Sequence, residues 1–262
     1  MVWHMWYEWP DRENWEMVVV FANTGKEDPG TLDFVRDFSL RFDIPIVWVE
    51  GYPSKKGKGW SVNHEIVDWQ TASRDGQPFE AMIARLGIPS TNAPFCSDQL
   101  KRKTIESYLK SIGWKKYYKA IGIRADEIDR VSEKAKEKKI IYPLIELNTT
   151  KLIILDWWAK QSLELKIDPD RGNCDNCWKK DLKRLCRNAV KYPESFNWWK
   201  EMSTKYGYLN PRNVLLKPPF NFFRGNLSPW NIMEMSKLPD HEISEKAWKE
   251  KLDGCSESCE AF

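Results

Sequence analysis

The apolar run at residues 17–22 restricts the possible folds more than any other feature of the chain. These residues carry no charge and include three consecutive valines, a composition typical of a β-strand buried on both faces. Residues 28–31 have the Asp-Pro-Gly-Thr pattern of a helix start, and the residues at 44–49 form a second β-prone run. An apolar stripe lies between them: Leu32, Val35, Phe38 and Phe42. This order predicts a βαβ unit with a parallel strand pair and a right-handed crossover.

Further elements extend this unit into an α/β fold. The pattern predicts a loop at 52–59, a helix capped by Ser97 and a third strand at 117–123. Thr149 or Thr150 can cap another helix, whose inward residues would be Ile153, Ile154, Trp157 and Trp158. We therefore expect a doubly wound, mostly parallel sheet over residues 1–167. Residues 168–262 are rich in Cys, Trp and Pro without a strand pattern, which predicts a smaller, mostly helical unit.

Composition limits the possible partners. The net charge is +3, from 41 basic and 38 acidic residues, so the whole chain is not an electrostatic match for nucleic acid, although a local basic patch remains an alternative. No apolar stretch has the length of a membrane span, and the N-terminus lacks the pattern of a secretion signal. Six cysteines in such a chain indicate reduced thiols in the cytoplasm, used for metal or redox chemistry.

Two polar segments follow predicted strands. The first contains Asn23, Thr24, Gly25 and Glu27, and ligands in open α/β sheets bind outside the carboxyl ends of strands. The second is residues 122–127, followed by Arg130. Two arginines at this spacing could grip phosphate or sulfate oxygens, with neighbouring carboxylates orienting them. Turn chemistry explains the first segment equally well, and a surface ion-pair cluster explains the second.

Cysteines mark two further candidates. Cys96 precedes a predicted helix near several lysines, an environment that lowers a thiol pKa. Cys174 and Cys177 have Cys-x-x-Cys spacing, and Cys255 and Cys259 could complete a four-thiolate site for zinc or a [4Fe-4S] cluster. The alternatives are a redox dithiol or four unrelated thiols. Cys186 lies among leucines and is predicted to be a core residue.

Several of these motifs, in this order, resemble the PAPS (phosphoadenosine phosphosulfate) reductase-like family of adenine-nucleotide α-hydrolases, in the variant common in phage and bacterial genomes. The resemblance spans about residues 17–180. Its motifs are residues 23–27, 71–74 with 78–80, Cys96 with 100–101, 122–127 with Arg130, 142–144, and 172–174 with Cys177.

The resemblance implies binding of an adenine nucleotide, PAPS or ATP. The residues implied to bind it are Asn23, Thr24, Gly25, Glu27, Arg74, Arg124, Asp126, Glu127 and Arg130. Cys96, Lys101 and Arg124 are the corresponding catalytic candidates. The reaction would be sulfonucleotide reduction, with a thioredoxin-like reductant, or transfer of sulfur or an adenylyl group.

One part of the family pattern is missing. Relatives hold the nucleotide phosphates in a Ser-Gly-Gly-x-x-Ser loop, the PP-loop, after their first strand, and residues 1–15 contain no such loop. Residues 1–9 instead resemble the helix that follows it. We expect that the strand and loop lie upstream of Met1; their true loss is the alternative and would favour a non-catalytic nucleotide-binding protein. The ending at 254–259 also differs from the reductase motif. A third function is a component of DNA phosphorothioation or tRNA thiolation with an iron–sulfur cluster.

Overall fold

The predicted βαβ unit forms the centre of the fold. The structure, a computed structural model, describes residues 1–91, 93–211, 217–239 and 242–243. Strand β1 (Val19–Asn23) is followed by helix α2 (Pro29–Phe42) and strand β2 (Ile46–Lys56). The two strands pair in parallel. Asp28 caps α2 through a hydrogen bond from the Gly30 amide, 2.9 Å long. The sequence predicted these three elements correctly because local signals define them.

The segment predicted as a loop at 52–59 is a β-hairpin, so that prediction is wrong. Strand β2 continues to Lys56, and β3 (Gly59–Val67) returns antiparallel to it. Only the turn between Lys56 and Gly59 is irregular, as the Gly and Lys residues of this segment predicted. Pairing with β3 satisfies the backbone of residues that have no strand pattern of their own. The three-stranded sheet is therefore mixed, with the order β1-β2-β3.

The predicted third strand does not join this sheet. Within 117–123 only β4 (Lys119–Ala120) is extended, and it pairs in parallel with β5 (Ile140–Ile141) in a separate two-stranded sheet. The α/β class is confirmed. One continuous, doubly wound parallel sheet is not found among the described residues.

Helices form most of the remaining regular structure. They are α1 (Val2–Tyr7), α3 (Gln77–Leu86), α4 (Thr104–Ser111), α5 (Pro143–Glu146), α6 (Lys151–Ala159), α7 (Leu182–Lys191), α8 (Asn197–Tyr206) and α9 (Pro229–Met235). A wide helical turn, Cys96–Lys103, leads into α4, and short 3₁₀ turns occur at Arg12–Asn14, Ala125–Arg130, Pro193–Phe196 and Arg224–Asn226.

Two details of the helix predictions are wrong. Ser97 lies inside the first turn rather than capping it, since the helical turn already begins at Cys96. In α6, Thr150 does occupy the predicted cap position, and only its side-chain hydrogen bond is missing; the second error is the orientation of Ile153. Ile153 is half exposed instead of facing inward, because Trp157 and Trp158 take the packing positions against the rings of α1 and α2.

The largest core joins α3 to the C-terminal helices. Phe79 and Met82 of α3 pack with Trp199 of α8 and with Phe222, and all four are buried. In the described residues after 168, every regular element is helical. No helix in the described part of the chain is long and apolar enough to cross a membrane.

Candidate functional site

The loop after β1 is closed by its own side chains. Glu27 accepts hydrogen bonds on Oε2 from the Thr24 amide (2.8 Å) and the Thr24 hydroxyl (2.7 Å). The Asn23 side-chain amide donates to Glu50 Oε1 (2.6 Å) and to the Ser73 carbonyl (2.8 Å). These side chains are buried. Their polar groups hold the loop in shape instead of facing solvent.

Gly25 lets this loop approach the segment that follows β3. Its φ is +80°, and a Cβ there would lie 2.7 Å from Ser73 Oγ, 2.9 Å from Gly76 Cα and 3.0 Å from Pro78 Cδ. No side chain fits this position without displacing backbone. The structure therefore brings together two motifs that are separate in the sequence, 23–27 and 71–78.

The cysteine loop, which contains Cys174 and Cys177, pairs with residues 26–28 at the end of the loop that follows β1. Glu27 and Cys174 form an isolated antiparallel bridge. The Asp28 amide donates to the Asn173 carbonyl and the Asp175 amide to the Lys26 carbonyl, both at 2.8 Å. Residues 26–28 and 173–175 are thus joined by backbone hydrogen bonds. These two candidate sites lie far apart in the sequence, and no local pattern predicts that they meet.

Salt bridges reinforce the junction. Arg171 contacts Asp28 at 3.1 Å and Asp175 at 3.3 Å. Lys26 lies 3.6 Å from Asp175. Arg171, Lys26 and Asp175 are not among the site residues predicted from the sequence. The sequence shows charged residues on both sides of Cys174, but it does not show which residues they contact.

Cys174 and Cys177 are half-buried neighbours whose thiols interact. A hydrogen bond from Cys174 lowers the pKa of Cys177, and the Lys179 amide acts in the same direction. The same hydrogen bond, followed by burial, raises the pKa of Cys174. The two thiols therefore differ, with Cys177 the one that ionises more readily.

The expectation that Cys96 has a lowered pKa is wrong. Burial raises its pKa to about 12 and outweighs the hydrogen bond from the Trp178 indole, whose Nε1 lies 3.4 Å from Cys96 Sγ. The lysines of the Cys96–Lys103 turn do not offset the effect of burial on this pKa. Lys101 extends to Glu27 Oε1, at 3.3 Å, and Lys103 pairs with Asp98.

A cleft of about 1200 Å³ lies between β1, at the edge of its sheet, and β4. Its lining includes Val19 and Val20 of β1 and both residues of β4. Cations from two predicted motifs, Lys101 and Arg130, also line it, with Arg102 beside them. The cleft is thus apolar along its β1 edge. It carries cations together with the carboxylates of Glu16, Glu106 and Glu146, and Glu106 is paired with Arg102 at 2.8 Å.

The other arginines predicted to bind nucleotide do not line this cleft. Arg124 pairs with Asp126 at 3.0 Å and Glu127 at 3.3 Å, and the hydrogen bond from Arg124 lowers the pKa of Asp126. Arg74 donates to the carbonyls of Ala72 and Trp69.

Arg130 contacts Glu127 at 2.5 Å, so Glu127 lies between the two arginines of the 124–130 turn. The Asp126 carboxylate also receives the Lys151 amide at the start of α6. The carboxylates of the 124–130 turn therefore form ion pairs and hydrogen bonds within the protein.

The metal prediction stays a prediction. Cys174 and Cys177 are close enough to supply two thiolates to one ion, whereas Cys255 and Cys259 lie outside the described residues. Within 1–91, 93–211, 217–239 and 242–243, no three His, Cys, Asp or Glu side chains are grouped as a metal site. Two thiolates alone do not complete a zinc or [4Fe-4S] site, which takes four ligands.

These features define an α/β protein in which the loop after β1 contacts the cysteine loop through backbone hydrogen bonds and a lining residue of the cleft, Lys101, through Glu27. The chain belongs to the family of the uncharacterized nin region protein ORF290 of Escherichia phage lambda, to which it is 31% identical over 264 residues, covering 93% of this chain and 84% of that protein. It is also similar to the uncharacterized protein MJ0973 of Methanocaldococcus jannaschii, 25% identical over 239 residues. That match covers 87% of this chain and half of the archaeal protein. No protein-family model matches the chain, and no solved structure matches it.

Proposed function

We propose that this chain binds an adenine nucleotide, PAPS or ATP, in the cleft between β1 and β4. The observation that carries the proposal is that Lys101 and Arg130, from separate parts of the sequence, line one cleft. Their cationic groups would contact phosphate or sulfate oxygens. Small-molecule sites commonly measure about 300–1,000 Å³, so a cleft of about 1200 Å³ has room for a nucleotide.

The position of the cleft supports the same proposal. β4 belongs to a parallel strand pair, Ile121 directly after it lines the cleft, and α/β proteins bind ligands beyond the carboxyl ends of such strands. β1 lines the cleft through its first residues, Val19 and Val20. The loop that follows β1 holds Lys101 through Glu27. The finer fold proposal is that both sheets are parts of one doubly wound arrangement, with the ligand between them.

The reaction proposed is sulfonucleotide reduction or transfer of sulfur or an adenylyl group. Each of these reactions releases an anionic group from the nucleotide, so negative charge develops on its oxygens as the bond breaks. Lys101 and Arg130 would stabilise that charge. The apolar walls contributed by β1 would strengthen this interaction by excluding water.

Isothermal titration calorimetry at low salt tests binding with ATP, PAPS and AMP. We expect ATP or PAPS to bind, and Lys101→Met to weaken binding at least about tenfold, which is about 1.4 kcal/mol. The matched control is Lys55→Gln, an exposed lysine of the β2–β3 hairpin, with wild-type affinity. Thermal unfolding of each variant verifies folding.

The absence of nucleotide binding, or equal affinity in Lys101→Met, would contradict the proposal. Salt-sensitive retention of DNA or tRNA without nucleotide binding would favour the nucleic-acid sulfur-modification function.

A further inference from the structure

Uncompensated positive charge is concentrated at the tip of the β2–β3 hairpin. Lys55, Lys56 and Lys58 are exposed around its turn. None of these three lysines forms an ion pair with any residue that the structure describes. Neighbouring cations repel one another, and a surface of one sign attracts anionic ligands and raises their local concentration. The hairpin tip is therefore a candidate site for a polyanion.

An indole ring lies beside these lysines. Trp60 is the cross-strand partner of Lys55, and directly opposed residues of an antiparallel pair project their side chains on the same face. Two further cations contact the same ring, with Arg85 Cζ at 5.3 Å and Lys103 Nζ at 5.9 Å from its centroid. Strand β2, helix α3 and the helical turn before α4 thus each bring one cation to the same aromatic side chain.

Arg85 is the cation of this group that is best placed to bind a phosphate. Its side chain is exposed and forms no ion pair with a described residue. Contact with the indole ring places the guanidinium, and its N–H donors suit phosphate oxygens in fork geometry. Lys103, in contrast, lies 3.5 Å from Asp98. We refer to the following residues together as the hairpin patch: Lys55, Lys56, Lys58, Trp60, Arg85 and Lys103.

We propose that the hairpin patch binds single-stranded nucleic acid, with its cations on the phosphates and Trp60 against a base. Surfaces that bind single strands combine cations along the backbone with an aromatic ring on which a base stacks. Trp60 is half-buried, so part of its ring faces solvent. The structure describes every residue of the patch, and none of them lines the cleft between β1 and β4. The proposal is therefore independent of nucleotide binding in that cleft.

The setting of the hairpin favours a single strand over a duplex. A two-stranded ribbon reads a duplex by entering its major groove. One face of this ribbon is instead packed on the protein, since Val62 belongs to the core that includes α3 and His64 is hydrogen-bonded to Ser107 of α4 at 2.9 Å. The ribbon is thus not free to enter a groove, whereas its tip can contact a flexible strand.

A lipid surface matches the hairpin patch less well. Proteins that bind at a membrane interface insert large apolar side chains below the headgroups. Between residues 52 and 60, all of which the structure describes, no large apolar side chain is exposed. The tip therefore offers cations to a membrane without an apolar anchor.

Fluorescence anisotropy tests the proposal on the full chain at low salt, with a labelled thymidine oligonucleotide of about 16 nucleotides. The variant carries Lys55→Gln, Lys56→Gln and Lys58→Gln together. We expect its affinity to fall at least about tenfold. The dependence of log affinity on log salt concentration should become shallower by about 2, because each phosphate contact to a single strand contributes about 0.7.

A matched control removes the same amount of charge from another exposed segment. It carries Lys134→Gln, Lys136→Gln and Lys138→Gln, at lysines that lie among Glu133 and Glu137. Because these carboxylates already offset the lysines, oligonucleotide affinity should stay at the wild-type level. The two triple variants have equal net charge, so a difference between them reports the hairpin rather than the overall charge of the protein.

Substitution of the aromatic ring tests the contact with a base. We expect Trp60→Leu to weaken oligonucleotide binding at least about fivefold and Trp60→Phe to retain most of it, since base stacking needs an aromatic face. Thermal unfolding verifies that each variant is folded. Trp60 also packs against the largest core, and the lysine variant tests the proposal without changing that packing.

Several results would overturn the proposal. They are the absence of oligonucleotide binding, equal losses in the two triple variants, and tighter binding of a duplex of the same length. Binding to vesicles of equal parts phosphatidylcholine and phosphatidylserine without oligonucleotide binding would assign the patch to a membrane instead. A loss in Lys101→Met but not in the hairpin variant would move the nucleic acid to the cleft. The hairpin variant should keep wild-type affinity in the nucleotide calorimetry, so the two proposals can fail separately.

Discussion

The loop at 23–27 and the turn at 124–130 have similar sequence features, yet their side chains differ in burial and in the partners that they contact. Each follows a strand and each combines polar and charged residues. In the first, Asn23, Thr24 and Glu27 are buried and bonded to one another or to adjoining segments. In the second, Arg124 is partly exposed and pairs with carboxylates two and three residues away.

The difference shows that similar sequence motifs can be held by different interactions. A buried network fixes a loop, so its side chains contribute through shape and through the partners that they position. A partly exposed ion-paired turn is weakly held. It contributes to a ligand site only where a cation such as Arg130 extends into a cleft.

The largest expected effect is on the first region. Gly25→Ala combines a left-handed backbone conformation with contacts under 3.0 Å to Ser73 and Gly76, so we expect a loss of about 3 kcal/mol in unfolding free energy. The control is Gly57→Ala, which has a φ of +54° but nothing within 4 Å of its Cβ. It should cost about 1 kcal/mol. Urea denaturation measures both, and equal losses would mean that the close packing around Gly25 is unimportant.

A smaller loss is expected when the buried network is cut. Asn23→Ala removes the donor to Glu50 and to the Ser73 carbonyl. Unsatisfied buried groups cost about 1–3 kcal/mol, and more when charged. Arg124→Gln, which breaks partly exposed ion pairs, should cost less than about 1 kcal/mol. Chemical denaturation of the two variants would contradict the contrast if Arg124→Gln were the more destabilising.

Local chemistry explains what the sequence could predict. The unit of β1, α2 and β2 was predictable because an apolar run, an Asp cap and an amphipathic stripe are all contained within their own elements. The β2–β3 hairpin was missed since pairing across the hairpin, rather than strand propensity, keeps residues 52–56 extended.

Individual site residues could be predicted from the sequence, but their arrangement in space could not. Cys174, Glu27 and Lys101 were all recognised, yet their proximity depends on backbone hydrogen bonds between segments far apart in the chain. The pKa of Cys96 was predicted in the wrong direction because its burial against Trp178 is a property of tertiary packing. Arg124 and Arg130 could not be distinguished without knowing which one extends into the cleft.

The smallest expected effect concerns an exposed ion pair outside both regions. Hydrogen bonding from Lys191 lowers the pKa of Asp168 from 3.8 to about 2. A lowered pKa stabilises the fold above the ordinary value, and this contribution disappears as the pH falls through the folded-state value. The stability advantage of wild type over Asp168→Asn should therefore decline between pH 4 and 2. Unfolding measured at intervals across that range tests this, and a constant difference would show that the ion pair does not form.

The most direct test of the nucleotide proposal compares two arginines of the same turn. The dissociation constant for ATP or PAPS, whichever binds, is measured by calorimetry for Arg130→Gln and Arg124→Gln at one salt concentration. Because Arg130 lines the cleft and Arg124 does not, we expect about tenfold weaker binding in Arg130→Gln, or about 1.4 kcal/mol, and little change in Arg124→Gln. Equal losses in both variants, or a larger loss in Arg124→Gln, would contradict the assignment of the cleft as the nucleotide site.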